Sequence, residues 1–437
     1  MKQQTFVVTG LAFGDEGKGT TVDYLTRRHG ASLVVRHNGG AQAGHNVVAS
    51  NGEHHCFAQF GSGTFAGANT YLSRYMVVHP GAMLVEARHL ERVGVKDPLS
   101  RLMIDMEALV ITPYHQAYNR LLELSRGANR HGTCGVGVGA TVSDAYDHPN
   151  EAIRMEDLAY SSSLRKKLEV IRNRKLSEAE KLIGPKGSMS NEFLEEMAVL
   201  TYMDLDDYIR GLRLLRSKVQ VVDQSYLTNA LKSLPTVIFE GAQGVLLDEW
   251  HGFHPHTTYS TTTHANALTL LKEGDYQGEV VRLGILRTYL TRHGQGPFPT
   301  QTDSWSRPEP HNSPKGWQGG FRWGQFDAVL ARYAIAACKG VDGIVLTHMD
   351  SNHWSPCDSY SKGAEEIRTL PVNHDSTPNG FQAGLIGHLK GIQPNYTRKD
   401  NPTESDFLGV EDMLGASVVL GSNGPTSEDK VSYDKRL

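Results

Sequence analysis

The sequence predicts one large α/β domain, residues 1–437, built around a mainly parallel β-sheet with helical excursions. Short apolar runs alternate with segments of helical periodicity, as in the strand-like run 102–104 and the helical pattern 114–125 that follows it. Helices that connect successive strands are typical of parallel sheets. The length of 437 residues and a hydrophobic content of 39% allow a large buried core.

The composition favours a protein whose partners are small molecules. A formal net charge of -4 provides no general attraction to nucleic acid or to a membrane surface. No apolar run reaches about 18 residues, and the N-terminus leads directly into a strand-like run, so we expect neither a membrane span nor a signal peptide. The cysteines lie far apart, which favours a reducing, cytoplasmic location; they are Cys56, Cys134, Cys338 and Cys357.

The first strand-like run, 6–9, is followed by a glycine-rich loop that carries Lys18 and by a segment, 20–28, with helical character. A strand, a glycine loop and a helix N-terminus form a common phosphate-binding unit. Backbone N–H groups and Lys18 supply positive charge, and the glycines let the backbone approach a phosphate closely. This stretch therefore predicts a nucleotide site.

The loop differs from a standard Walker A sequence, because Ala12 and Gly19 stand where that sequence requires Gly and Ser or Thr. It also contains Asp15, whose carboxylate would repel phosphate unless it binds Mg²⁺ or transfers a proton. A second glycine loop, 38–45, ends in His45, which suits acid or base chemistry. The alternatives are a tight turn without chemistry and a buried structural histidine.

Two glycine-rich runs resemble one enzyme family. Gly14-Asp15-Glu16-Gly17-Lys18-Gly19 and Gly39-Gly40-Ala41-Gln42-Ala43-Gly44-His45 are similar to the opening of adenylosuccinate synthetases, and the similarity continues to the C-terminus. That family forms adenylosuccinate from IMP and L-aspartate while hydrolysing GTP. The resemblance implies a GTP- and Mg²⁺-dependent ligase of the same P-loop-like fold that forms a homodimer.

The resemblance also implies the catalytic groups. Asp15 would remove the N1 proton of a 6-oxopurine and coordinate Mg²⁺ together with the carbonyl of Gly44. Lys18 and His45 would steady the γ-phosphoryl group as it moves to O6, after which an amine displaces the phosphate. The other residues implied around GTP are Gly14, Glu16, Gly17, Gly19 and Thr20, and those implied around the purine nucleotide include Asn38 and Gln42.

Two further segments resemble the parts of the family that bind IMP. In 132–139, Thr133 is kept from a Thr-Thr pair that touches the nucleotide 5′-phosphate, but Cys134 replaces the second threonine. In 237–244, Gln243 is implied to orient the 6-oxopurine, since an amide both donates and accepts hydrogen bonds. Thr258 falls where a family threonine contacts the phosphate. A plain flexible loop and an ordinary turn glutamine are the alternatives.

The largest departure from the family concerns arginines. Arg292 precedes a Gly-x-Gly-Pro-Phe-Pro-Thr turn that ends at Thr300 and resembles the family, and an arginine next to such a turn suits a carboxylate or a ribose. The family then has a run of arginines that holds the aspartate carboxylate, whereas segment 316–324 of this chain has only Arg322. Either the amine donor is not aspartate, or it is held differently, or the local alignment is shifted.

Two C-terminal segments resemble the guanine site of the family. The buried strand-like run 343–346 ends in Thr-x-x-Asp, and Asp350 could accept hydrogen bonds from guanine N1–H and its exocyclic amine. His348 replaces a family lysine that packs on the base. Ser422 and Gly424 belong to a turn that the family places on the guanine. A helix cap is the alternative role for Asp350.

Residues 155–233 are rich in Leu, Arg, Lys and Glu at helical spacing and predict a helical subdomain without chemistry of its own. Three functions stay open. The first is the adenylosuccinate synthetase reaction, and the second is the same chemistry on another purine nucleotide, such as GMP or dGMP, or with another amine. The third is a GTP-binding regulatory protein, against which the retention of Asp15 and His45 argues, because a pure binder needs neither.

Overall fold

The computed structural model describes residues 3–183, 189–309, 317–373 and 381–437. Its α-helices are α1 (Lys18–His29), α2 (Pro80–Arg92), α3 (Pro113–Arg126), α4 (Val138–Asp147), α5 (Ser161–Glu180), α6 (Asn191–Tyr202), α7 (Leu205–Lys218), α8 (Gln224–Ser233), α9 (Ala265–Glu273), α10 (Ala328–Ala337), α11 (Phe381–His388), α12 (Glu404–Leu408) and α13 (Val410–Leu414).

Its β-strands are β1 (Gln4–Gly10), β2 (Leu33–Arg36), β3 (His45–Val48), β4 (His54–Phe57), β5 (Asn69–Leu72), β6 (Val77–Val78), β7 (Leu102–Asp105), β8 (Leu109–Val110), β9 (Gln220–Val222), β10 (Thr236–Glu240), β11 (Glu279–Arg287), β12 (Tyr289–His293), β13 (Phe321–Gln325), β14 (Gly343–Thr347), β15 (His353–Trp354), β16 (Cys357–Lys362), β17 (Glu365–Ile367), β18 (Gln393–Tyr396), β19 (Lys399–Asp400), β20 (Val418–Ser422) and β21 (Lys430–Ser432).

Ten of these strands form the central sheet, in the order β21-β20-β14-β11-β1-β10-β2-β5-β7-β9. Every neighbouring pair is parallel except β20 and β21. The predicted α/β fold with a mainly parallel sheet is confirmed. β1 lies at the centre of this sheet between β10 and β11, so the first glycine loop emerges from its middle.

The central strands are apolar because helices cover both faces of the sheet. In β1, Phe6 and Val8 pack with α1 on one face, while Val7 packs with α8 and α9 on the other. All three side chains are completely buried. Strands of this kind read as continuous hydrophobic runs rather than as alternating patterns, which is what the sequence shows.

The region 155–233 is helical for most of its length but also supplies an edge strand. Its helical pattern 191–221 is divided into α6 and α7 by Asp204, whose side chain accepts hydrogen bonds from the N–H groups of Asp206 and Asp207. The pattern then ends in β9, which pairs with β7 through Met103 and Gln220. Within the described ranges, no helix is both long and apolar enough to cross a membrane.

The parallel strands determine where a ligand can bind. The carboxyl ends of β1, β2, β10, β11, β14 and β20 lie at the same edge of the sheet, and the loops that follow them meet there. Ligands of open α/β sheets bind in the crevice outside this edge. The site predicted from the sequence consists largely of these loops.

Candidate active site

A cavity of about 1380 Å³ lies at the carboxyl edge of the sheet. This volume is large enough for two nucleotides, since drug-sized ligands occupy pockets of roughly 300–1,000 Å³. The predicted site residues that line the cavity are Gly14, Asp15, Gly17, Lys18, Gly19, Thr20, Gln42, Gly44, His45, Thr133, Cys134, Gln243, Thr258, Arg292, His348, Asp350, Ser422 and Gly424.

The loop after β1 is shaped from inside by Glu16. The N–H groups of Ala12 and Gly14 donate to Glu16 Oε1, at 3.0 and 2.9 Å. Glu16 Oε2 forms a buried ion pair with Lys18. Gly17 begins α1 at φ 94°, a conformation that favours glycine. Glu16 was predicted to lie beside GTP, and the structure places its carboxylate within the loop rather than in the cavity lining.

Asp15 lies between positively charged groups. Its Oδ2 is 3.4 Å from Nε2 of His293. Burial raises the pKa of Asp15, but the hydrogen bond to His293 and the positive charges of Arg287 and Lys18 outweigh it, so the pKa lies below its usual value. The carboxylate is therefore ionised at neutral pH, as a metal ligand or a general base must be.

His45 is fixed by a buried carboxylate. Its Nδ1 is 2.6 Å from Oε1 of Glu240, the last residue of β10. Burial lowers the pKa of His45, although Glu240 raises it. The pKa of Glu240 is about 2, because burial is outweighed by the positive charge of Arg36 and the hydrogen bonds from His45 and Ser62. An ionised carboxylate can only accept, so Nδ1 carries the proton and Nε2 is the free acceptor on this cavity-lining ring.

Two amide side chains present unused hydrogen-bonding atoms. Gln42 and Gln243 both line the cavity, and in each the buried Oε1 and Nε2 have no hydrogen-bond partner among the described residues. Gln243 adopts φ 57°, and Asn38 holds the residue before it: Ala242 N–H donates to Asn38 Oδ1 at 2.8 Å, and Asn38 Nδ2 donates to Ala242 O at 3.1 Å. Buried amides need partners, so these two are suited to a polar ligand.

The loops after β14 and β20 close one end of the cavity. His348, at φ 61°, packs edge-on against Tyr289, with ring centroids 5.3 Å apart, and burial puts its pKa well below the usual value. Asp350 forms an ion pair with Arg307. Ser422 Oγ donates to Gly424 O at 3.1 Å. These residues form a polar wall of the cavity in which the imidazole of His348 is neutral.

This end of the cavity also joins the two ends of the chain. Thr347 Oγ1 donates to Glu16 O at 2.8 Å, which ties β14 to the first glycine loop. Thr20 Oγ1 donates to Pro425 O at 2.8 Å, which ties α1 to the turn after β20. The predicted donor-nucleotide site is therefore assembled from the N-terminal and C-terminal parts of the sequence.

The residues predicted to bind the acceptor phosphate line another part of the same cavity. Thr133 Oγ1 accepts from Asn119 Nδ2 at 3.4 Å, and Cys134 Sγ accepts from Gln318 Nε2 at 3.0 Å. Burial raises the pKa of Cys134 to about 11, so the thiol is neutral. Thr258 contributes from the loop after β10.

Arg292 lines the cavity but is largely committed to the protein. Its Nη1 donates to Pro297 O at 2.6 Å, its Nε donates to Gln295 O at 3.2 Å, and its guanidinium lies 4.1 Å from the ring centroid of Phe13. Burial and the nearby charge of Arg322 lower its pKa to about 9. Arg292 therefore shapes the Pro-Phe-Pro turn as well as facing the cavity.

Three other predicted substrate residues are not part of the cavity lining in the described chain. Asn38 supports the turn at Gln243, as described above. Thr300 is completely buried, and its hydroxyl donates to Gln325 O at 2.9 Å. Arg322 donates to Gln301 Oε1 at 2.8 Å and to Gly296 O at 3.2 Å. Segment 316–324 begins with Gly316, which lies outside the described residues.

Sequence reasoning missed several groups that the structure adds to the site. They are Glu240, His293, Arg287, Tyr289 and Arg307. Glu240 could have been noticed as a charged residue at the end of an apolar strand three positions before Gln243. No local sequence pattern marks Arg307 as a site residue, because its partner, Asp350, is 43 residues away in the chain.

Comparison with known proteins identifies the family. A sequence model described as adenylosuccinate synthetase matches residues 7–401. The chain belongs to the adenylosuccinate synthetase family. The adenylosuccinate synthetase of Pelodictyon phaeoclathratiforme is 31% identical, with 98% of this chain and 97% of the relative covered. That of Chlorobium limicola is 33% identical, with 97% and 96% covered.

Solved structures support the fold of this family member. A fully ligated adenylosuccinate synthetase from Plasmodium falciparum matches with a TM-score of 0.76 at 20% identity, over 98% of this chain and 99% of that one. The succinoaminodeoxyadenylate synthetase of cyanophage S-2L, bound to dGMP and to dATP as an energy donor, matches with a TM-score of 0.58 at 17% identity, over 100% and 97%.

Membership of the adenylosuccinate synthetase family also defines the class of enzyme. The family consists of GTP-dependent ligases that form C–N bonds, and the chain is a ligase of this class that acts on small molecules. The predicted family, fold and enzyme class are thus confirmed. The individual site residues stay predictions, since no comparison tests them.

Proposed function

We propose that this enzyme transfers the γ-phosphoryl group of GTP to O6 of IMP and then replaces the phosphate with the amine of L-aspartate. The observation that carries the proposal is that Asp15, Lys18, His45 and Gln243 line one cavity, although they come from three separate loops. The curated relatives named above, which match almost the whole chain, support the same reaction.

The geometry suits activation of a poor leaving group. Ionised Asp15 accepts the N1 proton of the purine, so that negative charge develops on O6, which then attacks the phosphoryl group. Lys18 with the N–H groups at the start of α1 offsets the phosphate charge, and His45, fixed by Glu240, lies in the same cavity. Gln243 orients the purine through its two unpaired amide atoms.

The residues present fit a Mg²⁺ ion. Mg²⁺ prefers oxygen ligands, and both the Asp15 carboxylate and the Gly44 backbone line the cavity next to the phosphate-binding loop. We propose that Asp15 Oδ atoms and the Gly44 carbonyl hold the ion. When bound, Mg²⁺ would neutralise part of the charge on the phosphates. The low pKa of Asp15 keeps that ligand ionised at neutral pH.

A second candidate keeps the chemistry and changes a substrate. Arg322 is bound to Gln301 and Gly296 and is not part of the cavity lining, so segment 317–324 does not supply the arginine clamp that the family uses for aspartate. The thiol of Cys134 is a weaker hydrogen-bond donor than the hydroxyl of the threonine that the family has at this phosphate-binding position. These two features favour a different amine donor, or an acceptor such as GMP or dGMP.

Phosphate release with purified enzyme separates the candidates. The assay combines GTP and Mg²⁺ with IMP and a panel of amino acids, then with GMP or dGMP in place of IMP. Release that depends on IMP and aspartate supports the proposal. Dependence on another pair supports the second candidate, and nucleotide binding without release in any mixture supports a regulatory protein.

The homodimer and the cytoplasmic location belong to the same proposal and rest on the family resemblance. A dimer of this 437-residue chain has twice the mass of the monomer, which light scattering after gel filtration distinguishes directly. A monomer at micromolar concentration that is fully active would contradict the dimer.

A further inference from the structure

Segment 305–309 crosses the donor end of the cavity and is held there by side-chain contacts. The Trp305 ring stacks on His353 at 5.1 Å between centroids and meets Tyr289 edge-on at 5.0 Å. Glu309 Oε1 accepts from Arg287 Nη1 at 2.7 Å and from the Tyr289 hydroxyl at 2.8 Å. The segment is thereby anchored at both ends, and Arg307 lies between the anchors.

Arg307 engages both oxygens of Asp350. Its Nη1 is 3.3 Å from Oδ1, and its Nη2 forms a short contact with Oδ2. Both residues line the cavity, next to His348 and the turn after β20. A carboxylate paired with a guanidinium in this way has its acceptor positions occupied on the side of the cation.

The chemistry of the two common purine donors differs at such a pair. Guanine presents N1–H and an exocyclic amine, two donors that need a carboxylate acceptor. Adenine presents an unprotonated N1 at the same edge, and a bare carboxylate repels it. A guanidinium retains further N–H donors that suit adenine N1. The ion pair therefore reduces the advantage of guanine and removes the penalty on adenine.

We propose that Arg307 determines which base the enzyme prefers in the phosphoryl donor. Guanine must displace the Arg307 guanidinium from Asp350 before it can donate to the carboxylate, whereas adenine can bind with the ion pair intact. The inference rests on the proposed function for a nucleoside triphosphate donor, and on the family resemblance for the position of its base beside Asp350. The side chains of Arg307 and Asp350 are 29% and 35% exposed, so water screens the ion pair and a ligand can separate it at a modest energetic cost. The enzyme uses GTP with a weaker preference over ATP than Asp350 alone would give.

Equilibrium dialysis with radiolabelled GTP and ATP on the whole enzyme tests this directly, because it needs no turnover. Arg307→Met keeps most of the side-chain volume and removes the charge. The matched control is Arg210→Met, which removes an arginine from an exposed ion pair with Asp207 on α7. We expect the ratio of Kd for ATP to Kd for GTP to rise by about three- to fivefold in Arg307→Met and to stay constant in Arg210→Met.

A double-variant comparison separates competition from simple loss of structure. Asp350→Ala should reduce GTP affinity more in the Arg307→Met background than in the native chain, since only there is the carboxylate fully available. Equal effects in the two backgrounds, or an unchanged Kd ratio in Arg307→Met, would overturn the inference. Arg307→Lys, which keeps the charge but not the two-point contact, should give an intermediate ratio.

The outcomes also separate this inference from the proposed function. A shifted Kd ratio without phosphate release would leave Arg307 as the selectivity residue while the ligase proposal fails. Phosphate release together with an unchanged Kd ratio in Arg307→Met would support the ligase proposal and overturn the role of Arg307. An enzyme that binds neither nucleotide would overturn both, because the donor base would then have no place beside Asp350.

Discussion

Glu240 and His45 form a buried pair in which Oε1 lies 2.6 Å from Nδ1, although the two residues are 195 positions apart in the chain. Because β2 and β10 are neighbours in the sheet, the loop after one strand meets the last residue of the other. The carboxylate selects the imidazole tautomer whose Nε2 is a free acceptor. Glu240 is therefore a positioning residue for His45.

Replacing Glu240 by Gln should lower kcat by about tenfold to a hundredfold while the KM values change little. The volume is kept, but the tautomer of His45 is no longer fixed. Because Glu240 raises the pKa of His45, its loss should also move the acidic limb of the pH–rate profile to lower pH. An unchanged profile in a folded variant would show that Glu240 only packs.

Asp15→Asn should reduce coupled phosphate release by at least about a hundredfold while GTP still binds. The amide can neither accept the purine proton nor match the carboxylate as a Mg²⁺ ligand. Asp275→Asn is the matched control, because Asp275 also has a positive φ, 50°, and does not line the cavity. Normal turnover in Asp15→Asn would remove Asp15 from its proposed role.

Gly39→Ala should weaken binding of the purine nucleotide by about tenfold, the effect of losing roughly 1.4 kcal/mol. Gly39 has φ 83°, and an added Cβ would lie 2.9 Å from Ala242 Cβ and 3.1 Å from Gln243 Oε1. Gly52→Ala is the control, since Gly52 has φ 85° and open space around it. Both variants carry similar backbone strain, so equal nucleotide affinities would contradict the role of Gln243.

Stability should fall below pH 6.5 because of two buried histidines. Burial lowers the pKa of His37 to about 3 and that of His264 to about 4. Below pH 6.5 these two histidines bind protons in the unfolded chain but stay neutral in the folded chain. The free energy of unfolding therefore decreases as the pH falls towards their folded-state pKa values. Each histidine should make the free energy of unfolding about 2 kcal/mol lower at pH 5 than at pH 8.

Urea unfolding of His264→Gln at the two pH values checks this. The variant should lose less stability on acidification than the native chain, by about 2 kcal/mol. The comparison uses the pH-dependent difference, so a general loss of stability in the variant does not affect it. An identical difference in both proteins would mean that His264 is protonated in the folded state.

The sequence predicted the parts of the site that are local. The first glycine loop directly follows a strand-like run and precedes a helical segment, so its phosphate-binding character could be predicted from the motif itself. Gln243 and Asp350 were predicted from the strand-like runs that precede them together with the family resemblance. Each of these lines the cavity.

The parts that the sequence did not predict depend on tertiary contacts. The partnership of Glu240 with His45, and that of His293 with Asp15, joins residues far apart in the chain. Glu16 resembles a ligand residue in the motif, yet the close packing of Gly10 and Gly244 around it shows a group enclosed by backbone. Local pattern cannot distinguish a carboxylate that faces a ligand from one that supports a loop.

The hydrogen bond from Thr20 to Pro425 has a consequence for biosynthesis. The nucleotide motif is synthesised 405 residues before the turn that it contacts, so the pocket stays unfinished on the nascent chain while the intervening residues are translated. A protein truncated before β20 would retain every residue of the opening motif and still lack the wall that we propose for the donor base.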